Sequence, residues 1–551
     1  MSFSPNEAVT DLAATPPINR WWVILFCALW LLAGTVGHDP WKPSDAINLG
    51  IAFDMSSHHR WIVPHIAGDP WPTSPPLYFW VSAACGQLFQ WLLPWHDAAR
   101  LATTLFGAGF LWTLAISVRH LAGISAALVA PLLAIGTLGL LLPLHDAQPA
   151  IVGVFGFSLT LLALLKWPTT PRLSGLLLGL GIGMSFLGTG IGLALLSSLT
   201  ALITLALGHL IHSSHPTQQP TTRLNFTAAS LALLTATGLI LPWPYLLHQA
   251  SPAFLDWWWT NEKTSLLPNT PWFSQAHFKL LLWASWPLLP LASWHVWLER
   301  YRLCSPKTAL PLLASLLSLL MFFLGNPRPE YLLPSLVPLA MLATQGAGRL
   351  RRGAANAFDW FGMVTFSLIH ALLWLGAISL RTGAPEKIAK NFTKPAPGFI
   401  PDTPFAILAL AIVLTLGWLI FTLSLRRTPW RAATRWSIGW AGVWLLITAL
   451  WLPWIDYGKS YRLASADFSP YLSNNPGCIT RRNLGLAQRA SLDYFNGIRT
   501  ISEKNGKACE FLIAQTSPKA EKSLPGWRLL KETSRPGDKS ERLRLYRRLN
   551  P

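Results

Sequence analysis

The sequence predicts an α-helical polytopic membrane protein of about thirteen spans, with a small α/β domain at its C-terminus. Three observations predict it. Of 551 residues, 52% are hydrophobic and only 12% are charged, about half the usual charged share of roughly 25%. Apolar runs of spanning length recur from residue 21 to residue 453, separated by short basic or Trp/Pro-rich loops. The last 98 residues are polar, with 18 Lys and Arg against 9 Asp and Glu.

The spans read as 21–37, 100–118, 123–143, 150–166, 173–187, 190–209, 225–247, 278–297, 308–324, 331–347, 358–380, 404–425 and 436–453. The first twenty residues hold Glu7 and Asp11 with only Arg20 as a basic residue. They do not form a signal peptide, so the first span is expected to be retained. With the N-terminus in the cytoplasm, the inner loops carry Arg119, Lys166, Arg172, Arg223, Arg300, Arg302, Lys307, Arg349, Arg351, Arg352, Arg426, Arg427, Arg431 and Arg435. The outer loops hold Asp39, Asp45, Asp54, Asp69, Asp146, Asp256, Glu262 and Glu330. This is the positive-inside pattern of a bacterial inner-membrane protein, broken only by the basic outer loop 381–403. Residues 77–93 are long enough to span, but counting them would turn the Arg-rich loops outward. They are therefore expected to form a juxtamembrane or re-entrant segment on the outer face. The net charge of +19 is spread between spans rather than gathered on one soluble face, so nucleic acid is not the expected partner. The 30 Trp residues fall largely at the ends of apolar runs, as an interfacial belt would have them.

The expected domains are 1–453, with a long first outer loop at 38–99, and a periplasmic α/β domain at 454–551. CITRRNL and CEFLIAQ read as strands with a helix near 485–497 between them, and a last strand lies near 542–548. Cys478 and Cys509 sit in the first two strands, either bridged in an oxidising compartment or as buried thiols. Cys27, Cys85 and Cys304 show no metal spacing.

Chemistry is expected on the outer face. Its loops gather acids, an Arg and many aromatics: the stretch from His38 to Pro76, LHDAQP at 144–149, DWWWTNEKTS at 256–265 and NPRPEY at 326–331. Arg supplies forked phosphate contacts, a carboxylate can deprotonate an acceptor, and aromatics stack on sugar or lipid. His58, His59 and His65 lack a matching Cys or acidic set, so no metal is assigned and a divalent ion is left open. A nucleotide-phosphate loop is absent, as is a convincing inverted repeat, which disfavours transporters.

The first loop, WKPSDAINLGIAFDMSSHHRWIVPHIAGDPWPTSPPLYFW, resembles that of the aminoarabinose transferase-like glycosyltransferases. These are part of the GT-C superfamily, together with protein O-mannosyltransferases. Further similar stretches follow in order: LHDAQP, FLGTG, FLDWWWTNE, PRPEYLLPSLVPLAMLA and GRLRRGAANAFDWFG. The resemblance implies a GT-C fold and transfer of a sugar from a polyprenyl (undecaprenyl) phosphate to a periplasmic acceptor such as lipid A, a glycan or a protein. It implies Asp45 and Asp146 as the catalytic acids. Arg328, Lys42 and Lys263 become donor-phosphate ligands, and Asn261, Tyr331 and Trp258 substrate contacts. The chain departs from the family pattern at four places. Ser44 stands for the first acid of a pair, Ser74 for a loop Lys, and Thr189 for a second Lys; Ala150 is one of two alignments of the second-loop acid. A catalytically silent relative that binds polyprenyl lipid or scaffolds a partner enzyme is therefore the competing reading.

Overall fold

A computed structural model describes residues 18–213, 225–266, 271–402, 404–472, 477–503 and 509–549. The N-terminal segment expected in the cytoplasm lies almost wholly outside these, as does Arg223. Helix covers part of every expected span. Among the described residues, six helical segments are long and apolar enough to cross a membrane: Trp95–Ile135, Pro171–Thr189, Phe226–Ala250, Arg352–Thr382, Phe405–Ser424 and Arg431–Lys459. Six shorter apolar helices accompany them.

Several expected spans have breaks with a local cause. The two read at 100–118 and 123–143 form one continuous stretch, Trp95–Ile135, that turns at Gly123 (φ 85°, ψ −176°), a conformation open to glycine. The span read at 278–297 is two helices, Gln275–Ala284 and Leu288–Leu298, interrupted at Trp286-Pro287. The Trp286 carbonyl freed there accepts a hydrogen bond from the Leu138 N–H (3.2 Å), as irregular backbone inside a membrane bundle requires. The segment 77–93 contains a helix of only 13 residues, Leu77–Phe89. That is about 20 Å long, short of the roughly 30 Å hydrocarbon layer.

Helix–helix contacts in the bundle rest on small residues, because lipid tails give no hydrophobic reward for burying Leu on Leu. On Pro171–Thr189, a Cβ added at Gly175 would lie 2.2 Å from the Ala228 carbonyl, and one at Gly179 2.5 Å from that of Ala232. Both contacts face the Phe226–Ile240 helix. On another side of the same helix, Gly181 and Gly188 approach Gly156 and Gly153 of Ala150–Lys166 just as closely. At the expected cytoplasmic end, Asp359 pairs with Arg435 (2.7 Å) and Arg431 (3.0 Å), tying Arg352–Thr382 to Arg431–Lys459.

The last long helix continues past Pro453 to Lys459, so the expected domain edge falls inside it. Beyond it lies a five-stranded mixed sheet. Ile479–Arg482 is flanked by Ile501–Ser502 and Phe511–Thr516, both parallel to it. Arg542–Arg548 follows antiparallel, and Trp527–Thr533 closes the far edge. The strands read at 478–484, 509–515 and 542–548 and the helix Leu486–Asn496 are present; the edge strand Trp527–Thr533 had no sequence expectation. Cys478 and Cys509 form a disulfide at the entry to two neighbouring parallel strands.

This domain sits on the first outer loop. Ala490 meets Gly50 of the Ser44–His58 helix so closely that a Cβ there would lie 2.6 Å away. Asp69 receives Arg489 (2.6 Å), Lys42 pairs with Glu541 (3.2 Å), and Asp39 accepts from Arg462 Nε (2.9 Å). Asp456 accepts from the Trp41 indole N–H (2.7 Å) and the Asp39 N–H (2.9 Å).

Replacing Gly179 by Leu is expected to force the Pro171–Thr189 and Phe226–Ile240 helices apart, destabilising the bundle by about 1–3 kcal/mol. A lowered midpoint of detergent-induced unfolding measures it, with Gly238→Leu, which meets nothing within 4 Å, as the control.

Candidate functional site

Two structures meet at the face expected to lie outside: a buried charge cluster and an amphipathic cavity. The cluster is built around Arg100, fully buried on the first turns of Trp95–Ile135. Its Nε donates to Asp45 Oδ1 (3.0 Å) and its Nη2 to Asp45 Oδ2 (2.8 Å), a forked pair. Nη1 donates to Asp97 Oδ1 (2.8 Å) and the His38 carbonyl (2.9 Å), and Nη2 also to the Asp39 carbonyl (2.9 Å). Asp45 Oδ1 further accepts from the Ala147 N–H (2.8 Å), and Oδ2 from the Trp41 N–H (3.0 Å). Burial works against the Asp45 charge, yet the Arg100 guanidinium and these donors hold its carboxyl below the usual range.

Asp45 thus ties the first outer loop to the second, the turn LHDAQP. Asn48 Nδ2 donates to the Ala147 carbonyl (2.7 Å), and Thr103 Oγ1 to that of Asp146 (2.9 Å). The Asp146 side chain is half-buried, and among the described residues no hydrogen bond reaches its carboxylate. Burial, then the Asp45 charge, push its pKa up to about 7, against the pull of Arg100 and Lys459.

The turn leads into the cavity, for Gln148 and Ala150 form part of its wall. The cavity holds about 840 Å³. Its polar end is lined by Thr73, Ser74, Gln148, Thr189, Asn261, Glu262, Arg328, Glu330 and Tyr331. Its apolar end is lined by Leu193, Leu195, Leu196 and Leu199 of Ile191–Ser213 and Leu317, Leu320, Met321 and Leu324 of Ala309–Leu324. Leu195, Leu199 and Leu320 are about half exposed, so this end opens sideways toward the bilayer position. Arg328 caps the Pro329–Ala347 helix, where the backbone dipole adds to its charge. Among the described residues no carboxylate lies within ion-pair distance of its guanidinium. Glu262 is buried, accepts from the Ile191 N–H (3.1 Å), and has its pKa raised by burial.

Of the residues singled out from sequence, Arg328, Asn261 and Tyr331 share this cavity. Asp146 stands two residues before its wall. Asp45 is 1% exposed with both oxygens occupied, and it is not part of the wall. Lys42 is held by Glu541 and lies over the Tyr461 ring. Lys263 is exposed over the Trp259 ring at 5.1 Å. Trp258 is buried, with its indole N–H on the Thr73 carbonyl (3.1 Å), in a smaller cleft of about 370 Å³. Lys42, Lys263 and Trp258 therefore do not reach the main cavity. Arg100 escaped the sequence reading because it opens an apolar run; the signal was WHDAAR, with Asp97 and Arg100 at i and i+3. Glu262 was read as a loop residue and lies in the wall. Among the described residues, no three His, Cys, Asp or Glu side chains converge in a way that could hold a metal ion.

The helical bundle, its long first loop, the capping α/β domain and the amphipathic cavity form a fold shared with solved structures. The solved structure of ArnT from Cupriavidus metallidurans bound to undecaprenyl phosphate superposes with a TM-score of 0.71, at 16% identity, over 96% of this chain and 98% of that one. Its apo state gives 0.66 over 95% and 98%, again at 16% identity. Among curated proteins, the chain is similar to the undecaprenyl phosphate-alpha-4-amino-4-deoxy-L-arabinose arabinosyl transferase of Pseudomonas savastanoi pv. phaseolicola, 26% identical over 430 residues, covering 75% of this chain and 74% of the relative. The Serratia proteamaculans enzyme of the same name is 25% identical over 456 residues, covering 78% and 75%. No family model matches the chain. The resemblance carried by the loop motifs is borne out by these relatives.

Arg328→Ala is expected to weaken binding of a long-chain alkyl phosphate by roughly tenfold or more, the loss of one charge-assisted contact. Calorimetric titration of the detergent-solubilised protein reads it. Equal affinity in wild type and variant would remove Arg328 from the phosphate site.

Proposed function

We propose that this chain is an integral-membrane glycosyltransferase that moves a sugar from a polyprenyl phosphate, undecaprenyl phosphate in a bacterium, to a periplasmic acceptor, lipid A being the foremost candidate. It lies in the inner membrane with about thirteen crossings, its N-terminus in the cytoplasm, and residues 454–551 as a periplasmic domain. The cavity carries this reading. One end is a leucine-lined channel open to the bilayer, the other a polar chamber with one uncommitted Arg, which matches an isoprenoid chain ending in a phosphate and a sugar.

The division of labour follows from chemistry. Arg328, with the helix it caps, binds the donor phosphate and stabilises the charge that grows as the sugar leaves. Asn261, Tyr331 and Glu262 line the space beside it and contact the sugar. Asp146 takes the proton from the acceptor hydroxyl as it attacks the anomeric carbon. A base whose pKa lies near the operating pH is effective in this role. Asp45 is kept ionised by Arg100 and has no free lone pair for substrate, so it serves the framework. Lys42, Lys263 and Trp258 have framework roles too.

A second reading has one observation in its favour. Ser74, Ala150 and Thr189 place uncharged groups in the cavity wall. A silent relative that binds a polyprenyl phosphate without cleaving it would need no more than Arg328 and the channel.

The deciding measurement is release of undecaprenyl phosphate by purified protein from lipid-linked sugars with a lipid A acceptor. Turnover that falls by 10²–10⁴-fold in Asp146→Asn is expected of a lost general base. Donor binding without turnover for any sugar and acceptor would establish the silent reading.

The pH profile gives an independent check. Asp146 acts only when deprotonated, and its pKa is raised to about 7. The rate is therefore expected to fall with acid through a midpoint near 7, rather than near the ordinary carboxylate value of roughly 4. A profile flat from 8 down to 5 would rule out Asp146 as the base.

A further inference from the structure

We propose that Arg100 is a positioning residue for transfer, acting through Asp45 to fix the Asp146–Gln148 turn beside the cavity. This rests on the function proposed above and assigns a residue that touches neither donor nor acceptor.

The geometry is a chain of three links. Arg100, 0% exposed, places its five N–H groups on two carboxylates and on first-loop carbonyls. Its fork orients the Asp45 carboxylate in one plane. Asp45 then takes the Ala147 N–H (2.8 Å), while Asn48, one turn further along the same helix, takes the Ala147 carbonyl (2.7 Å). Both peptide groups that flank Ala147 are thus held from the first loop. Thr103, one turn beyond Arg100, holds the Asp146 carbonyl and receives the buried Tyr78 hydroxyl (2.8 Å). The backbone on either side of the Asp146 side chain is held, yet among the described residues that carboxylate has no donor.

The same residues set the field at Asp146. The charged groups facing it are Asp45 from the Ser44–His58 helix, Arg100 from Trp95–Ile135 and Lys459 from Arg431–Lys459. His145, its neighbour in the turn, points away, with its ring nitrogens on the Trp30 and Leu141 carbonyls (2.7 and 2.6 Å). Arg100 favours the Asp146 anion and Asp45 opposes it. Removing one or the other must therefore move Asp146 in opposite directions, which general loosening of the fold would not do.

The experiment compares wild type with Arg100→Met, Arg100→Lys, Asp45→Asn and the double variant Asp45→Asn/Arg100→Met, all full-length in lipid nanodiscs. Two readouts are taken: pH profiles of donor turnover, and the titration of Asp146 by carbon-13 NMR of carboxyl-labelled Asp, assigned with Asp146→Asn. Arg100→Met is expected to raise the Asp146 midpoint and Asp45→Asn to lower it, each by roughly one pH unit. The rate at saturation falls in both while the donor KM holds, because the Arg328 end of the cavity is untouched. Arg100→Lys keeps the midpoint close to wild type without restoring the full rate, since a point charge cannot hold the carboxylate plane. Should Arg100→Met not fold, the double variant removes the buried pair together and still reads the midpoint, expected between those of the single changes.

Midpoints that move the same way in Arg100→Met and Asp45→Asn, or do not move, overturn the proposal. So does a raised donor KM with the saturated rate unchanged. A wild type with no turnover overturns the transferase reading alone, and the NMR titration still decides the positioning role.

Discussion

The half of this protein that holds the cavity depends on one buried ion pair. Arg100 and Asp45 are both inaccessible to water, and Asp97 shares the guanidinium. Taking such charges out of water costs several kcal/mol per ion, which is offset only when every donor and acceptor is matched. Here they are: both Asp45 oxygens have two donors each, and every Arg100 nitrogen has a partner. Loss of Arg100 alone would leave two buried carboxylates unpaired, a penalty of about 3–5 kcal/mol. A site this expensive to leave half-built specifies one arrangement of the first loop, the second loop and the start of Trp95–Ile135. Everything facing the cavity from those segments inherits that arrangement.

The C-terminal domain extends the same logic outward. Glu541, 5% exposed, collects Lys42, Gln488, Gln515 and Tyr461. Asp39 is held by Arg462 and Ser460, so the residues just before Asp45 are fixed from above as Arg100 fixes them from below. The excess of basic residues in this domain is partly consumed in these contacts, since Arg462, Arg481, Arg489 and Arg499 all face acids of the first loop. Its charge therefore reads first as adhesion to an acidic loop, and only the remainder is available to an anionic surface.

The Trp residues show where sequence reading succeeds and fails. Trp21, Trp22, Trp91, Trp112 and Trp283 are exposed, as members of an interfacial belt are. Trp80, Trp243 and Trp258 instead donate their indole N–H to the Trp61, Ile62 and Thr73 carbonyls, pinning the first loop where it has no regular structure. Composition alone does not separate the two uses. Hydropathy located the bundle because each span must bury its own backbone hydrogen bonds, a constraint that is local in sequence. FLIAQT was legible as a short apolar run, buried over its first four residues. Trp527–Thr533 was not, being an edge strand with little alternation and mostly half-exposed residues. The cavity was beyond reach in detail, since Thr73, Gln148, Asn261 and Arg328 converge from four separate loops. Asp45 was found by resemblance; Arg100, which bonds both of its oxygens from 55 residues away, was not.

That distinction bears on the uncharged positions in the wall. Ser74, Ala150 and Thr189 leave the polar chamber, among the described residues, with Arg328 as its one cation, set against Glu262 and Glu330. Glu262 is pushed toward its neutral form by burial, which lowers the cost of bringing a phosphate near it. The departing phosphate would then be stabilised by one guanidinium and by the N-terminal peptide groups of Pro329–Ala347, in a chamber flanked by leucines. Low polarity makes each such interaction stronger than it would be in solvent. A chamber with few charges and an apolar flank can therefore carry a phosphate leaving group, provided the turn that bears Asp146 is held still.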